Sequence, residues 1–177
     1  MLPREQLERT IRRRGSIRDF ALEPIAEADL IGILADATAP IPTDFPELTE
    51  TRLVVNAVDG LEPGVYRFEP ADRFELVRAG SFRRQAGYLA LEQPLGARAA
   101  AVVFFLADLE RVLELLGNRG YRAAQLEAGI RTGRVYVSAF ARGLAATAST
   151  FYDDDVTAFL APGTELSPML CAAVGRR

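Results

Sequence analysis

Histidine, tryptophan and lysine are absent from the 177 residues, and cysteine occurs once, at Cys171. All 21 basic residues are therefore arginines. Without histidine or lysine, no Ser-His-Asp or Cys-His arrangement can be built and no Schiff base can form. The usual zinc sites lose their imidazole and thiolate ligands, so no metal is expected. One cysteine permits no internal disulfide, and its place in the apolar run Met169 to Val174 reads as a small buried hydrophobe rather than a nucleophile. Arginine stays protonated, so proton transfer falls to Asp, Glu, Tyr or a bound molecule. The chemistry left open is that of a cofactor that carries the reaction, or no reaction at all.

Long apolar runs are missing too. None approaches the roughly 18 residues of a membrane span, and Met1 to Thr10 is charged and helix-prone, unlike a secretory signal. A formal net charge of -3 provides no broad basic field for nucleic acid or an anionic membrane. A cytoplasmic protein with neither kind of partner is expected. What the chain does have is 49% hydrophobic residues with 14 Gly and 10 Pro, suited to one domain over 1–177 with a substantial core.

Leu2 to Arg14 has the spacing of an amphipathic helix with Leu7 and Ile11 on one face, and it delivers arginines to a C-terminal end whose dipole suits them. Pro24 opens a second helix through about Ala37, closed by Pro40 and Pro42. Ala39 to Glu50 is a proline-interrupted loop, either a binding loop or a surface excursion. Strands are predicted at Arg52 to Val58, at Val65 to Phe68 and, after a turn at Pro70-Ala-Asp72, around Phe74 and Leu76. Gly80 to Leu91 should be helical. Ala99 to Leu106 is the most continuously apolar run and reads as a central strand buried on both faces. Asp108 should cap a helix to Leu116 that Gly117 ends. Tyr121 to Arg142 is the longest helix, with Gly143 at its C-cap. Its apolar positions form no clean stripe, so burial on several sides is expected, against the sheet and a second copy. Thr147 to Tyr152 reads as a small-residue loop, Asp153 to Leu160 as a short helix and Met169 to Val174 as the last strand.

Ile11 to Phe20, I-R-R-R-G-S-I-R-D-F, places Arg12, Arg13, Arg14 and Arg18 around Ser16. Guanidinium groups fork onto phosphate oxygens, and Gly15 lets a backbone N–H approach unobstructed, so the stretch has the makings of a phosphate clamp. Taken alone, a solvated arginine cluster at a helix end explains it better. Asp153-Asp154-Asp155 reads as helix capping rather than a metal site. Tyr121 and Tyr136 read as packing residues with a satisfied hydroxyl rather than proton donors.

Several ordered segments together resemble the nitroreductase superfamily and, within it, the SagB-type dehydrogenase branch. They are R-G-S-I-R-D-F at Arg14 to Phe20, V-D-G-L-E-P-G-V-Y-R-F at Val58 to Phe68, G-N-R-G-Y-R-A-A-Q-L-E-A-G at Gly117 to Gly129, G-L-A-A-T-A-S-T-F at Gly143 to Phe151 and A-V-G-R at Ala173 to Arg176. The resemblance implies an α+β three-layer sandwich, with a central mixed, mainly antiparallel sheet flanked by helices, and a homodimer with FMN at its interface. Carried over by position, Arg14, Gly15, Ser16 and Arg18 match the FMN-binding segment, and Arg176 matches a basic residue reaching the same phosphate. Ser149 and Thr150 match the loop whose backbone amides face flavin N5. The implied activity is FMN-dependent hydride exchange between NADH or NADPH and a small-molecule or peptide substrate of the azoline kind. The sequence also departs from that branch. Leu115 and Leu116 stand where azoline-oxidising relatives carry a Lys-Tyr pair, and Ile130, Gly133 and Arg134 replace polar residues. The Ala39 to Glu50 loop replaces a small-residue one. No residue is thereby assigned to catalysis, and a catalytically reduced flavin-binding or protein-interaction module of the same fold is the alternative.

Overall fold

The computed structural model describes residues 4–69, 71 and 73–177. The expected helix start at Leu2 and the turn residues Pro70 and Asp72 lie outside them. In chain order the elements are α1 (Arg4–Arg13), β1 (Ile25–Ala26), α2 (Glu27–Thr38), β2 (Thr49–Val55), β3 (Val58–Asp59), β4 (Gly64–Glu69) and β5 (Arg73–Ala79). They continue with α3 (Arg83–Leu89), α4 (Pro94–Arg98), β6 (Ala101–Asp108), α5 (Leu109–Leu116), a 3-10 turn at Gly117–Arg119, α6 (Gly120–Ala141), β7 (Ala145–Ser149), α7 (Asp153–Leu160) and β8 (Leu166–Gly175).

Successive side chains of a strand point to opposite faces, so a strand apolar at every position needs cover on both. Strand β6 is such a strand, buried from Ala101 through Ala107, and it lies inside a six-stranded sheet of order β5-β4-β2-β6-β8-β7. Every neighbouring pair in that sheet is antiparallel. The expected mixed character resides outside it, in a separate parallel pairing of β1 with β3. Leu53, Val55, Val103, Phe105 and Val174 face one core, completed by Leu30, Ile33 and Leu34 of α2 and by Ala124, Ala128 and Val135 of α6. The alternate residues Val54, Val102, Phe104, Leu106 and Cys171 face the other, with Ala86 and Leu89 of α3 and Val156 and Leu160 of α7. Each fully buried aliphatic or aromatic side chain contributes about 1.5–3 kcal/mol. The three layers of the expected α+β sandwich follow from this alternation.

Helix α6 differs from expectation. Its buried residues are Gly120, Ala123, Ala124, Glu127, Ala128, Arg131, Thr132, Val135, Ser138 and Ala139. That is one continuous stripe at helical period, which the sequence hides because four of its members are polar. The opposite face carries the exposed Leu126 and the open positions Gly129 and Gly133, where an added Cβ would meet nothing within 4 Å.

The polar members of the stripe explain the 39–48 loop, which is neither unattached nor a free excursion. Glu127 accepts hydrogen bonds from Leu48 N (2.9 Å), Thr49 N (2.9 Å) and Thr49 Oγ1 (2.7 Å). Arg131 pairs with Glu47 and donates to Thr49 O at 3.3 Å, Arg134 donates to Ala39 O and to Pro40 O (3.3 Å), and Arg119 pairs with Asp44 at 2.8 Å. The loop is a strap laid along α6.

Further boundaries depart from the sequence expectations, and the strand expected at Arg52 to Val58 runs over Thr49–Val55, with Val58 in a separate short strand. Helix α2 begins at Glu27 rather than Pro24, because Ile25 and Ala26 pair with β3. The Gly80 to Leu91 helix starts only at Arg83 and breaks at Leu91 and Glu92, both in left-handed backbone at φ 58, before α4 opens at Pro94. Residues 147–149 belong to strand β7, since edge pairing with β8 overrides their small-residue composition. The strand expected at Met169 begins earlier, at Leu166.

Candidate functional site

Helix α1 ends in the basic pair Arg12 and Arg13, and Arg14 N still closes on Thr10 O at 2.9 Å. Residues 14–19 then run over the surface until Phe20, 1% exposed, anchors the segment in the core. Arg98 donates from Nε to Phe20 O at 3.0 Å and pairs with Asp19 at 2.5 Å. Ala21 N donates to Arg176 O at 3.0 Å, and Arg176 Nε donates to Pro24 O at 2.9 Å. The far end of the chain is thereby joined to the arginine segment. Gly175 makes the junction sterically feasible, because a Cβ there would come within 2.9 Å of the Phe20 ring.

Tyr136, on α6, makes the second junction. Ala148 N, on β7, donates to its hydroxyl at 2.6 Å, Ser16 Oγ lies 3.1 Å from the same oxygen, and the Arg14 guanidinium sits 5.8 Å from the centre of its ring. One residue on, Ser149 Oγ donates to Thr150 O at 2.9 Å and receives Gln93 Nε2 at 3.4 Å, while the Cys171 thiol donates to Ser149 O at 3.1 Å. Strand register pairs Ala145 with Gly175 and Ser149 with Cys171. Arg176 therefore lies just beyond one end of β7 and Thr150 just beyond the other, about 20 Å apart along the strand at about 3.3 Å per residue.

The structure thus gathers Arg14, Ser16 and the 148–150 segment at Tyr136, and ties Arg176 to the same N-terminal segment at Ala21. Arg18 is exposed on the stretch between these junctions. Among the described residues none of Arg14, Arg18 and Arg176 is paired with a carboxylate. Arg14 and the Ser16 hydroxyl, both at Tyr136, are donors of the kind a phosphate dianion needs. Gly15 has open space where a Cβ would be and no left-handed backbone, so nothing within the chain requires glycine there. Beside Arg14, a groove of about 710 Å³ runs between α1 and α6, lined by Leu7, Ile11, Ile130, Gly133 and Val137.

Other candidates fall away. Cys171 is buried, and burial pushes its thiol up to about 12, which removes it as a nucleophile near neutral pH. Asp155 accepts from Tyr88 Oη at 2.8 Å in the first turn of α7, and no acidic or thiol cluster able to hold a metal occurs among the described residues. Leu115 is 56% exposed on α5, so its position faces solvent without a proton-transferring group. Tyr136 and Gln93 are the contacts that sequence reasoning missed. Nothing local distinguishes Tyr136 from Tyr121, which is half exposed elsewhere on the same helix.

A family model described as the nitroreductase family matches residues 11–176. A nitroreductase-like protein of Methanocaldococcus jannaschii is 28% identical over 192 residues, covering 97% of this chain and 91% of that protein. Among solved structures, a nitroreductase-like protein of Anabaena variabilis superposes with a TM-score of 0.89 at 30% identity, over 96% of this chain but only 38% of its own length. One from Ralstonia eutropha superposes with a TM-score of 0.80 at 23% identity, covering 99% of this chain and 83% of that one.

Proposed function

Because this chain belongs to the nitroreductase family of flavin-dependent oxidoreductases, we propose that it binds FMN between two copies of itself and exchanges hydride with a reduced nicotinamide and a small acceptor. In this reading 1–177 acts as one domain in the cytoplasm. Arg14, Ser16, Arg18 and Arg176 hold the phosphate, with Gly15 giving the backbone close approach, and the 149–150 amides lie beside the flavin ring. The observation that carries it is the convergence on Tyr136 and Arg176, which unites three segments from both ends of the sequence and brings in guanidinium groups that have no carboxylate partner among the described residues. Bound FMN would supply the redox chemistry, taking a hydride at N5 and passing two electrons on. The chain's own part is to fix the phosphate and present backbone donors to the ring.

The dimer is supported by the outer face of α6. Gly129 and Gly133 cost that helix about 1 kcal/mol each relative to alanine. Among the described residues nothing lies within 4 Å of a Cβ added at either, Leu126 is exposed on the same helix, and exposed Ile11 shares a groove with Gly133. A second copy crossing there would use the space.

A peptide or azoline substrate of the SagB kind is the less favoured form of this reading, because the exposed Leu115 and neighbouring Leu116 offer no proton acceptor. The same observation favours a second reading, a flavin-binding or protein-interaction module without turnover.

The deciding experiment is spectroscopic. Purified protein should carry, or take up, FMN with visible absorbance that bleaches anaerobically on adding NADH or NADPH. Colourless protein that cannot be reconstituted overturns the proposal, and retained FMN that no nicotinamide bleaches selects the second reading. Arg18→Ala should weaken FMN binding about 10- to 100-fold, the loss of one charge-assisted phosphate contact. Unchanged affinity would remove Arg18 from the site.

A further inference from the structure

We propose that Tyr136 is the positioning residue that sets the Ser16 hydroxyl for phosphate, through a directed chain of hydrogen bonds from Ala148 N to Tyr136 Oη to Ser16 Oγ. This inference rests on the FMN reading above and adds to it a residue on α6 outside both cofactor segments.

The direction of the first bond is fixed by its donor; in the second, either hydroxyl can donate, and in the proposed chain Tyr136 is the donor. A backbone N–H can only donate, so at 2.6 Å Tyr136 Oη is the acceptor of Ala148 N. The phenol keeps its own hydrogen, and the acceptor at hand for it is Ser16 Oγ, 3.1 Å away. Ser16 then receives a hydrogen bond and retains its single proton to donate outward. A hydroxyl with an occupied acceptor site and a free proton suits an anionic oxygen. Left without Tyr136 it would rotate freely and lose that bias. The Arg14 guanidinium at 5.8 Å from the ring centre is placed by the same side chain, through attraction to the aromatic face. Tyr136 is half-buried on the longest helix, which the strap and the core hold, whereas Ser16 and Arg14 lie on an exposed segment. The helix-borne partner therefore anchors the exposed one, and it links the Ser16 segment to the 148–150 segment.

The test is a double-mutant cycle on FMN affinity, read by quenching of flavin fluorescence in the reconstituted full chain. Tyr136→Phe keeps the ring and its contact with Arg14 but removes the hydroxyl. It should weaken FMN about 3- to 10-fold, one neutral hydrogen bond's worth. Ser16→Ala should weaken it at least as much, and the double variant should bind no more weakly than Ser16→Ala alone, because Tyr136 acts through that hydroxyl. Combining Tyr136→Phe with Arg18→Ala should instead give the product of the two separate effects. Multiplicative behaviour of Tyr136→Phe with Ser16→Ala, or unaltered affinity of Tyr136→Phe, overturns the inference. Failure of the unsubstituted chain to bind FMN overturns the functional reading itself, so the two failures are distinguishable. Unchanged circular dichroism and melting of apo Tyr136→Phe separate positioning from folding, and a grossly unfolded Tyr136→Phe would assign the residue to structure and overturn the inference.

Discussion

Glu127 is 3% exposed and is surrounded by donors, two backbone amides, one hydroxyl and the Arg131 guanidinium at 3.2 Å. Arg131 is equally buried, and its Nε already has no partner among the described residues. Truncating the carboxylate strands two amides and leaves buried Arg131 with Glu47 as its one carboxylate among the described residues, a loss of about 3–5 kcal/mol. Glu127→Ala should therefore lower Tm by roughly 6–20 °C in a chain of this size, checked by calorimetry. A fall of only a degree or two would mean that water replaces the carboxylate. Cys171 makes a second residue-scale prediction. Burial raises its thiol from an ordinary 9.0 to about 12. Below pH 9 both folded and unfolded chains keep the proton. Between 9 and about 12 the folded chain keeps it while the unfolded chain releases it, so this residue's contribution to stability falls as pH rises across that window. Native protein at pH 8 should leave Ellman's reagent unreacted and consume it only in denaturant. Prompt reaction in buffer would show the thiol to be accessible.

At the scale of elements, α6 and the 39–48 strap form one unit. Arg134 holds the Ala39 and Pro40 carbonyls, while Arg119 and Arg131 hold Asp44 and Glu47. Its contacts are partly exposed, so Arg134→Ala should cost little global stability, on the order of 1 kcal/mol. Its signature should be local, with faster amide exchange in residues 39–46 and protection unchanged in β6. Exchange unaltered throughout would mean that the strap is fixed by Glu127 and Arg131 alone. This unit was only partly legible from sequence. The helix was predicted within a residue at either end, since it contains no proline and Gly143 follows it at φ 75. The strap was not, because carbonyl-to-arginine contacts leave no periodic trace. The fate of Ser149 was hidden for a related reason: alanine, serine and threonine favour a strand there only because β8 is alongside.

At the scale of the whole molecule, the sheet separates two cores while the outer face of α6 keeps Leu126 exposed and, among the described residues, leaves Gly129 and Gly133 open. Gly129→Ala with Gly133→Ala tests the proposed dimer. Alanine favours the helix by about 1 kcal/mol per site and meets no neighbour within the chain. The pair should stabilise the isolated chain while weakening self-association, seen as a shift towards monomer in light scattering at matched concentrations. Stronger or unchanged association would place the interface elsewhere.

Composition and pattern alone determined much. Missing His and Lys removed whole classes of mechanism, the run of apolar residues at β6 required cover on both faces, and Asp108 and Gly117 bounded α5 as caps do, with Asp108 Oδ1 accepting from Arg111 N at 3.0 Å. These are properties of neighbours along the chain, where spacing of a few residues fixes geometry. What only the tertiary structure decided is which distant residues meet: Phe20 with Gly175, Arg176 with Pro24, Glu127 with Thr49, and Tyr136 with both Ser16 and Ala148. No periodicity encodes such meetings, because they arise from packing of whole elements. The arginine segment is exposed and gains its order from those contacts.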